Sequence, residues 1–425
     1  LVGCLVAGLL SFYSRPRSLP AYVPAAVFIG WFIPFSVVLL FPFDLASTSS
    51  TKNQRPLFFI PENVLVVVWR TTWWTCAVFT WFVFPNMQNY VDSGHRAPWK
   101  RLKSALLTNL RNQIIGLVIS SSVLVYILAS TKVSSAAAIK STIIALANSW
   151  GLVIVIMLMG HGLVNIPRRL WYSASRQYQL RDLERRAVIV WDAKEEASET
   201  LAEVGAEVSA LEHKVFGEHK AWVKELIAMC PSAQEHRGSN RSPIPLDRVD
   251  DEYLASLTRR VRSAARKKER YTSEWGSLIR VATFIQDVMD AGTSSKGELV
   301  IRFNTARSGL FSPRAAYHFY VNVVPLAKRV TAVLLGMLSA IIVFSEIFIN
   351  AKHPLISIVG IVVRGAGPKW ALVELISVAI LTYMAVCTYT TLLRLQVFNL
   401  FALVPNHHTD PPSLIFFASY LCRLT

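Results

Sequence analysis

Apolar residues are grouped along this chain in long runs that polar stretches separate. Runs of about 20 apolar residues have the length that crosses the hydrocarbon core of a bilayer as a helix. We expect seven such spans and the start of an eighth near residue 413, and the seven cover residues 1–13, 22–43, 63–84, 113–129, 142–164, 321–349 and 370–393. This pattern predicts an all-α protein whose main part is a polytopic transmembrane helical bundle.

The block of residues 168–320 has a different pattern. It holds two runs in which apolar residues recur at alternating spacings of three and four, the repeat of coiled-coil helices. The first seam is Leu180, Leu183, Ala187, Val190, Ala197, Leu201, Val204, Val208, Leu211 and Val215. The second seam is Leu254, Leu257, Val261, Ala264, Tyr271, Trp275, Leu278, Ala282, Ile285 and Met289.

Residues 231–247, between the two runs, are rich in Pro, Ser, Gly and Asn and predict a loop. We therefore expect a long antiparallel coiled-coil hairpin that projects from the bundle, each seam covering the other. The alternative is a pair of surface helices in an ordinary soluble domain, but no other polar segment is long enough to cover them. The chain then divides into an N-terminal bundle of five spans (1–167), the hairpin (168–320) and a C-terminal bundle (321–425).

Charge sets the expected orientation. The formal net charge is +17, yet most acidic residues lie in the hairpin block, so the basic excess is left in the loops between spans. Cytoplasmic loops carry such an excess, which predicts an outside N-terminus and a cytoplasmic hairpin. The basic stretch 259–270 contains Val261 and Ala264 of the second seam, so we interpret it as the solvated face of a helix and expect the lipid bilayer, rather than nucleic acid, as the partner.

The sequence holds no signature of a catalytic site. Walker A, HExxH and GxSxG motifs are absent, and the five cysteines are too scattered for a metal site or a disulfide framework. We expect no enzymatic activity, no catalytic residue, no cofactor and no metal.

Three charged residues fall within predicted spans: Arg70, Glu346 and Glu374. A charge inside a membrane is costly and suggests a function by default. The predicted topology places all three near the outer surface, where they could pair and line a polar pocket. The alternative is that each side chain reaches the headgroups separately.

A second candidate lies at the cytoplasmic end of the fifth span, in Gly160-His161-Gly162 and the following Pro167. Glycines let membrane helices approach closely, and a proline ends or kinks a helix. We interpret these residues as the point that couples the membrane part to the hairpin.

Several blocks of the sequence resemble the limb-region-type (LMBR-like) family of multi-pass membrane proteins, and within it the LMBR domain-containing protein 2 branch. The blocks are 68–71, 84–90, 93–94, 147–152, 159–168, 230–231, 345–346, 409–410, 413–414 and 422–424. The resemblance implies nine spans, about eight of them present here, and a cytoplasmic coiled-coil loop after span five. It also implies receptor-like or adaptor roles, including modulation of G-protein-coupled receptor signalling.

From these observations we expect a membrane receptor or adaptor whose hairpin recruits a cytoplasmic protein for signalling or trafficking, and whose bundle contacts other membrane receptors. The expected location is the plasma membrane, with the endolysosomal membrane as the alternative. The second hypothesis is a transporter of a small molecule or lipid that uses the polar pocket.

Overall fold

A computed structural model describes residues 1–15, 19–49, 59–131, 135–212, 215–230, 250–293, 298–299, 312–348, 357–365, 370–394, 401–404 and 407–424. The secondary-structure elements in these ranges are all helical, which confirms the all-α class. The predicted loop 231–247 lies outside the described residues.

The structure describes fourteen α-helices. In order they are α1 Val2–Tyr13, α2 Tyr22–Ser49, α3 Glu62–Val78, α4 Phe84–Asp92, α5 Pro98–Thr131, α6 Ala136–Tyr172, α7 Arg176–Leu211, α8 Glu218–Ala228, α9 Asp251–Thr293, α10 Pro313–His318, α11 Val324–Ile347, α12 Ile358–Gly365, α13 Trp370–Arg394 and α14 Pro411–Arg423. Two π-helical turns, Phe79–Val83 and Phe319–Val323, join α3 to α4 and α10 to α11.

Five of these helices are long and apolar enough to cross a membrane: Tyr22–Ser47, Pro98–Ser130, Ala137–Tyr172, Pro313–Ile347 and Leu372–Arg394. Apolar side chains of α5 point outward, as expected for contact with lipid; Val125, for example, is 64% exposed. One of the five, Pro313–Ile347, combines α10, the second π turn and α11. The predicted third span, residues 63–84, is not among the five. The chain is therefore a helical membrane protein, and its full number of spans stays a prediction.

The core of the bundle forms around α14, near the end of the chain. Leu414, Ile415, Phe417 and Leu421 are fully buried, and α14 packs against α2 and α4. Helix α13 packs against both α2 and α6. The N-terminal and C-terminal bundles predicted from the sequence thus share one hydrophobic core. The predicted boundary at 167/168 lies within α6, and the one at 320/321 within the second π turn.

Helix α6 also holds α11 and α13 through a small buried cluster. Ser339 Oγ on α11 donates to the Leu163 carbonyl of α6 (2.8 Å) and lies 2.7 Å from the Tyr383 hydroxyl of α13. One turn of α6 lies directly against α13: a Cβ added at Gly162 would sit 2.4 Å from the carbonyl oxygen of Cys387. Hydrogen bonds between side chains and backbone, together with a small residue at the contact, are how membrane helices associate.

Helices α7 and α9 lie side by side in opposite directions. Trp191 contacts Trp275 with ring centroids 5.0 Å apart, and farther along α7 the Glu207 carboxylate binds Arg260 (2.8 Å). The seams predicted from the sequence are buried most completely in this farther half, at Ala197, Leu201, Val204, Val208 and Leu211 of α7 and Leu254, Leu257, Val261 and Ala264 of α9. The antiparallel pairing follows from the apolar repeat of both helices.

A third helix closes the end of this pair. Helix α7 ends at Leu211, and α8 begins after Gly217, whose φ is 70°. The Trp222 indole of α8 donates to Thr258 Oγ1 of α9 (2.9 Å) inside the same core. Nearby, the Tyr253 hydroxyl donates to the Glu207 carboxylate (2.8 Å). Burial, and to a smaller extent this carboxylate, raises the pKa of Tyr253 to about 12. The phenol therefore stays protonated and keeps its role as donor.

The α7–α9 seam can be tested with one substitution at two positions of α7. Val208→Ala, at a fully buried position, should reduce the free energy of unfolding by about 2 kcal/mol, because buried methyl groups are removed. Val188→Ala, at a position 63% exposed, should change it by less than about 0.5 kcal/mol. Hydrogen exchange of the α7 and α9 amides in the intact protein measures both, and equal effects would contradict the seam.

The contact between α6 and α13 can be tested at its two neighbouring glycines. Gly162→Ala should destabilise the protein by about 1–3 kcal/mol, because the new methyl group collides with the backbone of α13. Gly160→Ala adds a methyl group with nothing within 4 Å, so it should be neutral or slightly stabilising through helix propensity. Thermal unfolding of both purified variants measures the difference in stability. A Gly162→Ala protein as stable as the Gly160→Ala protein would refute the close contact.

Candidate functional site

The three charged residues predicted within spans occupy different environments. Arg70 on α3 and Glu346 on α11 are exposed, whereas Glu374 on α13 is 5% exposed. Helix α3 packs against α2, while α11 and α13 both pack against α6. Among the residues that the structure describes, no ion pair joins Arg70 to either glutamate. The shared pocket stays a prediction, and Glu374 is its one buried member.

The residue beside Arg70 has a polar partner that the sequence reading missed. The Trp69 indole donates to the Asp44 carboxylate of α2 (2.9 Å) and thereby joins α2 to α3. The signal for Asp44 was weak, because the predicted second span ended at Phe43, one residue before it. In the structure α2 continues to Ser49, so Asp44 lies within a helix that could cross the membrane.

The glycine and proline residues of α6 have separate roles. Gly162 is buried against α13, whereas Gly160 and His161 are exposed. Pro167 lies inside α6, which continues to Tyr172. The break between the membrane part and the hairpin thus occurs at 173–175, a few residues after the position expected from the sequence. A coupling role for these four residues stays a prediction.

The break at 173–175 is held by the second π turn and by α11. The Arg176 guanidinium donates to the Tyr320 carbonyl, and Lys328 Nζ donates to the Ser173 carbonyl (3.1 Å). These two hydrogen bonds join the start of α7 to the second π turn and the turn before α7 to α11. The beginning and the end of the hairpin block therefore meet at the bundle. We call this the base of the hairpin.

The far end of the hairpin also contacts the bundle. Arg96, in the connection between α4 and α5, binds Glu225 of α8 (2.7 Å), and Lys100 of α5 binds Asp251 at the start of α9. Gly94, with a φ of 68°, lies so close to α9 that an added Cβ would be 2.1 Å from the Ala255 carbonyl oxygen. The arm expected to project from the bundle instead lies along one face of it, held at both ends.

The middle of α9 continues this contact. Arg259 donates to the Asp92 carbonyl (2.8 Å), and Arg266 lies 3.6 Å from the Asp92 carboxylate. Burial raises the pKa of Asp92, and the charge of Arg266 opposes that rise. The basic loop residues Arg96 and Lys100 were interpreted as a sign of orientation, and Arg259 as part of a solvated helix face. In the fold all three attach the hairpin to the bundle.

No group of three or more His, Cys, Asp or Glu side chains with the arrangement of a metal site occurs in the described part of the chain. The polar groups described above bind one another and the backbone. What this geometry offers is a charged surface built from α7, α8 and α9 and attached to a membrane bundle.

Comparisons with known proteins place the chain in a family of membrane proteins. A family model described as LMBR1-like membrane protein matches residues 1–425. The chain is 27% identical to the G-protein coupled receptor-associated protein LMBRD2 of Gallus gallus, covering 98% of this chain and 67% of that protein. It is 26% identical to the Homo sapiens protein of the same name, covering 93% and 64%.

A third relative is the LMBR1 domain-containing protein 2 homolog A of Dictyostelium discoideum, 26% identical over all of this chain and 64% of that protein. The chain thus spans about two thirds of the length of these relatives. No solved structure matches it significantly. Because the family model covers every residue, the resemblance inferred from the sequence blocks is confirmed: the chain belongs to the LMBR1-like membrane protein family.

Proposed function

We propose that this protein is a non-catalytic, receptor-associated membrane protein that presents its hairpin as a docking surface for a cytoplasmic protein. The observation that carries the proposal is the attachment of the hairpin at both ends, through Arg176 and Lys328 at the base and through Gly94 and Arg96 at the far end. A surface held in this way binds a partner without first having to be ordered.

The kind of receptor comes from the relatives. Several are named as associated with G-protein-coupled receptors, and we propose the same association for this chain, through its bundle. The exposed apolar side chains of α5 and α6 are available for contact with another membrane protein as well as with lipid. The hairpin would then hold a signalling or trafficking protein beside the receptor.

The proposed topology has the N-terminus outside and residues 168–320 in the cytoplasm, as a coiled-coil hairpin between spans five and six of a nine-span pattern. The plasma membrane is the proposed location. The basic residues support this orientation, since Arg96, Lys100, Arg111, Arg168 and Arg169 all lie on the hairpin side of the bundle.

The second candidate function is transport of a small molecule or lipid. It is favoured by Glu374, because a buried carboxyl group within a candidate span is the kind of residue found along transport pathways. A transporter should lose substrate flux when Glu374 is changed to Gln and keep it without the hairpin. A docking protein should show the opposite pattern.

The topology is tested by single cysteines in a Cys4→Ser background, which removes the one exposed native thiol. Phe216→Cys, between α7 and α8 and 77% exposed, should react with a membrane-impermeant maleimide only after cells are permeabilised. Lys140→Cys, near the start of α6, should react in intact cells. Labelling of position 216 in intact cells would refute the cytoplasmic hairpin.

The attachment of the hairpin is tested at two glycines that share a positive φ. Gly94→Ala should detach α9 from the bundle, because its methyl group meets the Ala255 carbonyl, and hydrogen exchange of α9 should rise at least tenfold. Gly217→Ala also places a Cβ at a positive φ, but with nothing within 4 Å, so it should leave exchange in residues 251–270 unchanged. Similar exchange in the two variants would argue against attachment at Gly94.

The docking role is tested in cells by energy transfer between the full chain and G-protein-coupled receptors, together with proximity labelling from the hairpin. Replacing residues 180–289 with a Gly-Ser linker should abolish labelling of cytoplasmic partners while the receptor signal remains. Neutralising Arg70, Glu346 and Glu374 together should leave both signals intact. Surface expression controls for folding, and unchanged cytoplasmic labelling without the hairpin would refute the proposal.

A further inference from the structure

A cavity of about 590 Å³ lies where the middle of α9 crosses the bundle. Its walls are α9, the adjoining ends of α4 and α5, and the segment that leads into α14. We call it the α9 cavity. Its basic lining residues are Arg111, Arg259, Arg266, Lys267 and Arg270, and its acidic ones are Asp92, Glu269 and Asp410.

Two of the three carboxylates have a basic side chain within 4 Å. Asp92 lies 3.6 Å from Arg266, and Glu269 lies 3.6 Å from the His408 imidazole. Asp410 is the N-cap residue of α14 and forms no capping hydrogen bond with its side chain. The remaining basic residues leave the lining positive, and the hydroxyl groups of Ser104, Thr108 and Ser263 are also part of it.

Arg270 is the unusual member of this lining. Its side chain is 92% buried, and its Nε is fully buried with no hydrogen-bond partner. No carboxylate in the described part of the chain pairs with it, and its guanidinium contacts the Tyr271 ring at 5.2 Å. A buried guanidinium without an acceptor is unfavourable, so an anion in the adjoining cavity would supply what the protein itself does not.

We propose that the α9 cavity binds a phosphate group, with Arg270 as its principal ligand. Guanidinium groups bind phosphate through paired N–H donors, and serine and threonine hydroxyls add neutral donors at the same wall. In the proposed topology this cavity faces the cytoplasmic leaflet, where anionic phospholipids reside. The headgroup of a phosphorylated inositol lipid and a soluble phosphate compound carry the same group, and the experiment separates these sources.

A phosphate in this position would join α9 to the bundle midway between the two ends of the hairpin. It would neutralise part of the positive charge that α9 brings to the surface of the bundle. The hairpin would therefore be held more firmly when the ligand is present. This inference concerns a ligand site and does not depend on which protein the hairpin recruits.

The test uses the full chain in phosphatidylcholine nanodiscs, with and without a phosphoinositide bisphosphate. Two soluble probes are added to the plain discs: a short-chain version of that lipid and inorganic phosphate. Thermal unfolding and equilibrium binding should both show that the wild-type chain binds the phosphoinositide. Binding of the lipid probes alone assigns the site to a headgroup, and equal binding of inorganic phosphate assigns it to a free anion. If none of the three probes binds, the proposal is wrong.

The decisive variant is Arg270→Met, which keeps an apolar stem beside Tyr271 and removes the charge. It should weaken phosphoinositide binding at least tenfold, because the principal phosphate ligand is removed. It should not lower the unfolding temperature of the unliganded protein, because the buried charge that it removes has no carboxylate partner among the described residues. Arg270→Lys should retain part of the affinity. The matched control is Arg280→Met, an exposed arginine on the same helix and outside the cavity, which should bind as the wild type does. Equal affinity of the two methionine variants would overturn the assignment.

Discussion

The close approach of α9 to Gly94 is the contact on which the architecture depends. Only a residue without a Cβ can adopt a φ of 68° there and leave room for the Ala255 carbonyl. With α9 in that position, Arg96 and Lys100 reach carboxylates of α8 and α9, and Arg259 reaches the end of α4. The hairpin is therefore bound to the bundle at its far end, at Asp92 and at its base, and the α9 cavity lies between α9 and the bundle beside the contact at Asp92.

In the membrane part, helices that are distant in the sequence pack against one another. Helix α14, close to the last residue, fills the centre between α2 and α4, and α13 joins that group to α6. In such a bundle α2 and α4 have no complete core without α14. Helix α6 completes the arrangement, because it holds α11 and α13 through Gly162, Leu163 and their partners.

The sequence predicted what depends on local periodicity. The apolar repeats predicted the seam residues that are buried in the farther half of α7 and α9, and hydropathy located the five helices that could span a membrane. It could not predict the position of the hairpin, because Arg96 and Glu225 are far apart in the chain and neither belongs to a pattern. The charges within spans illustrate the same limit: Arg70, Glu346 and Glu374 have similar sequence contexts, yet only Glu374 is buried.

Helix α6 gives this arrangement a mechanical consequence. With 37 residues it is a rod about 55 Å long, it continues without a break through Pro167, and it ends where Ser173 is bound to α11. A change in the tilt of α6 would therefore move the base of the hairpin, where Arg176 and Lys328 are bound, while the opposite end of the hairpin is bound to the connection between α4 and α5.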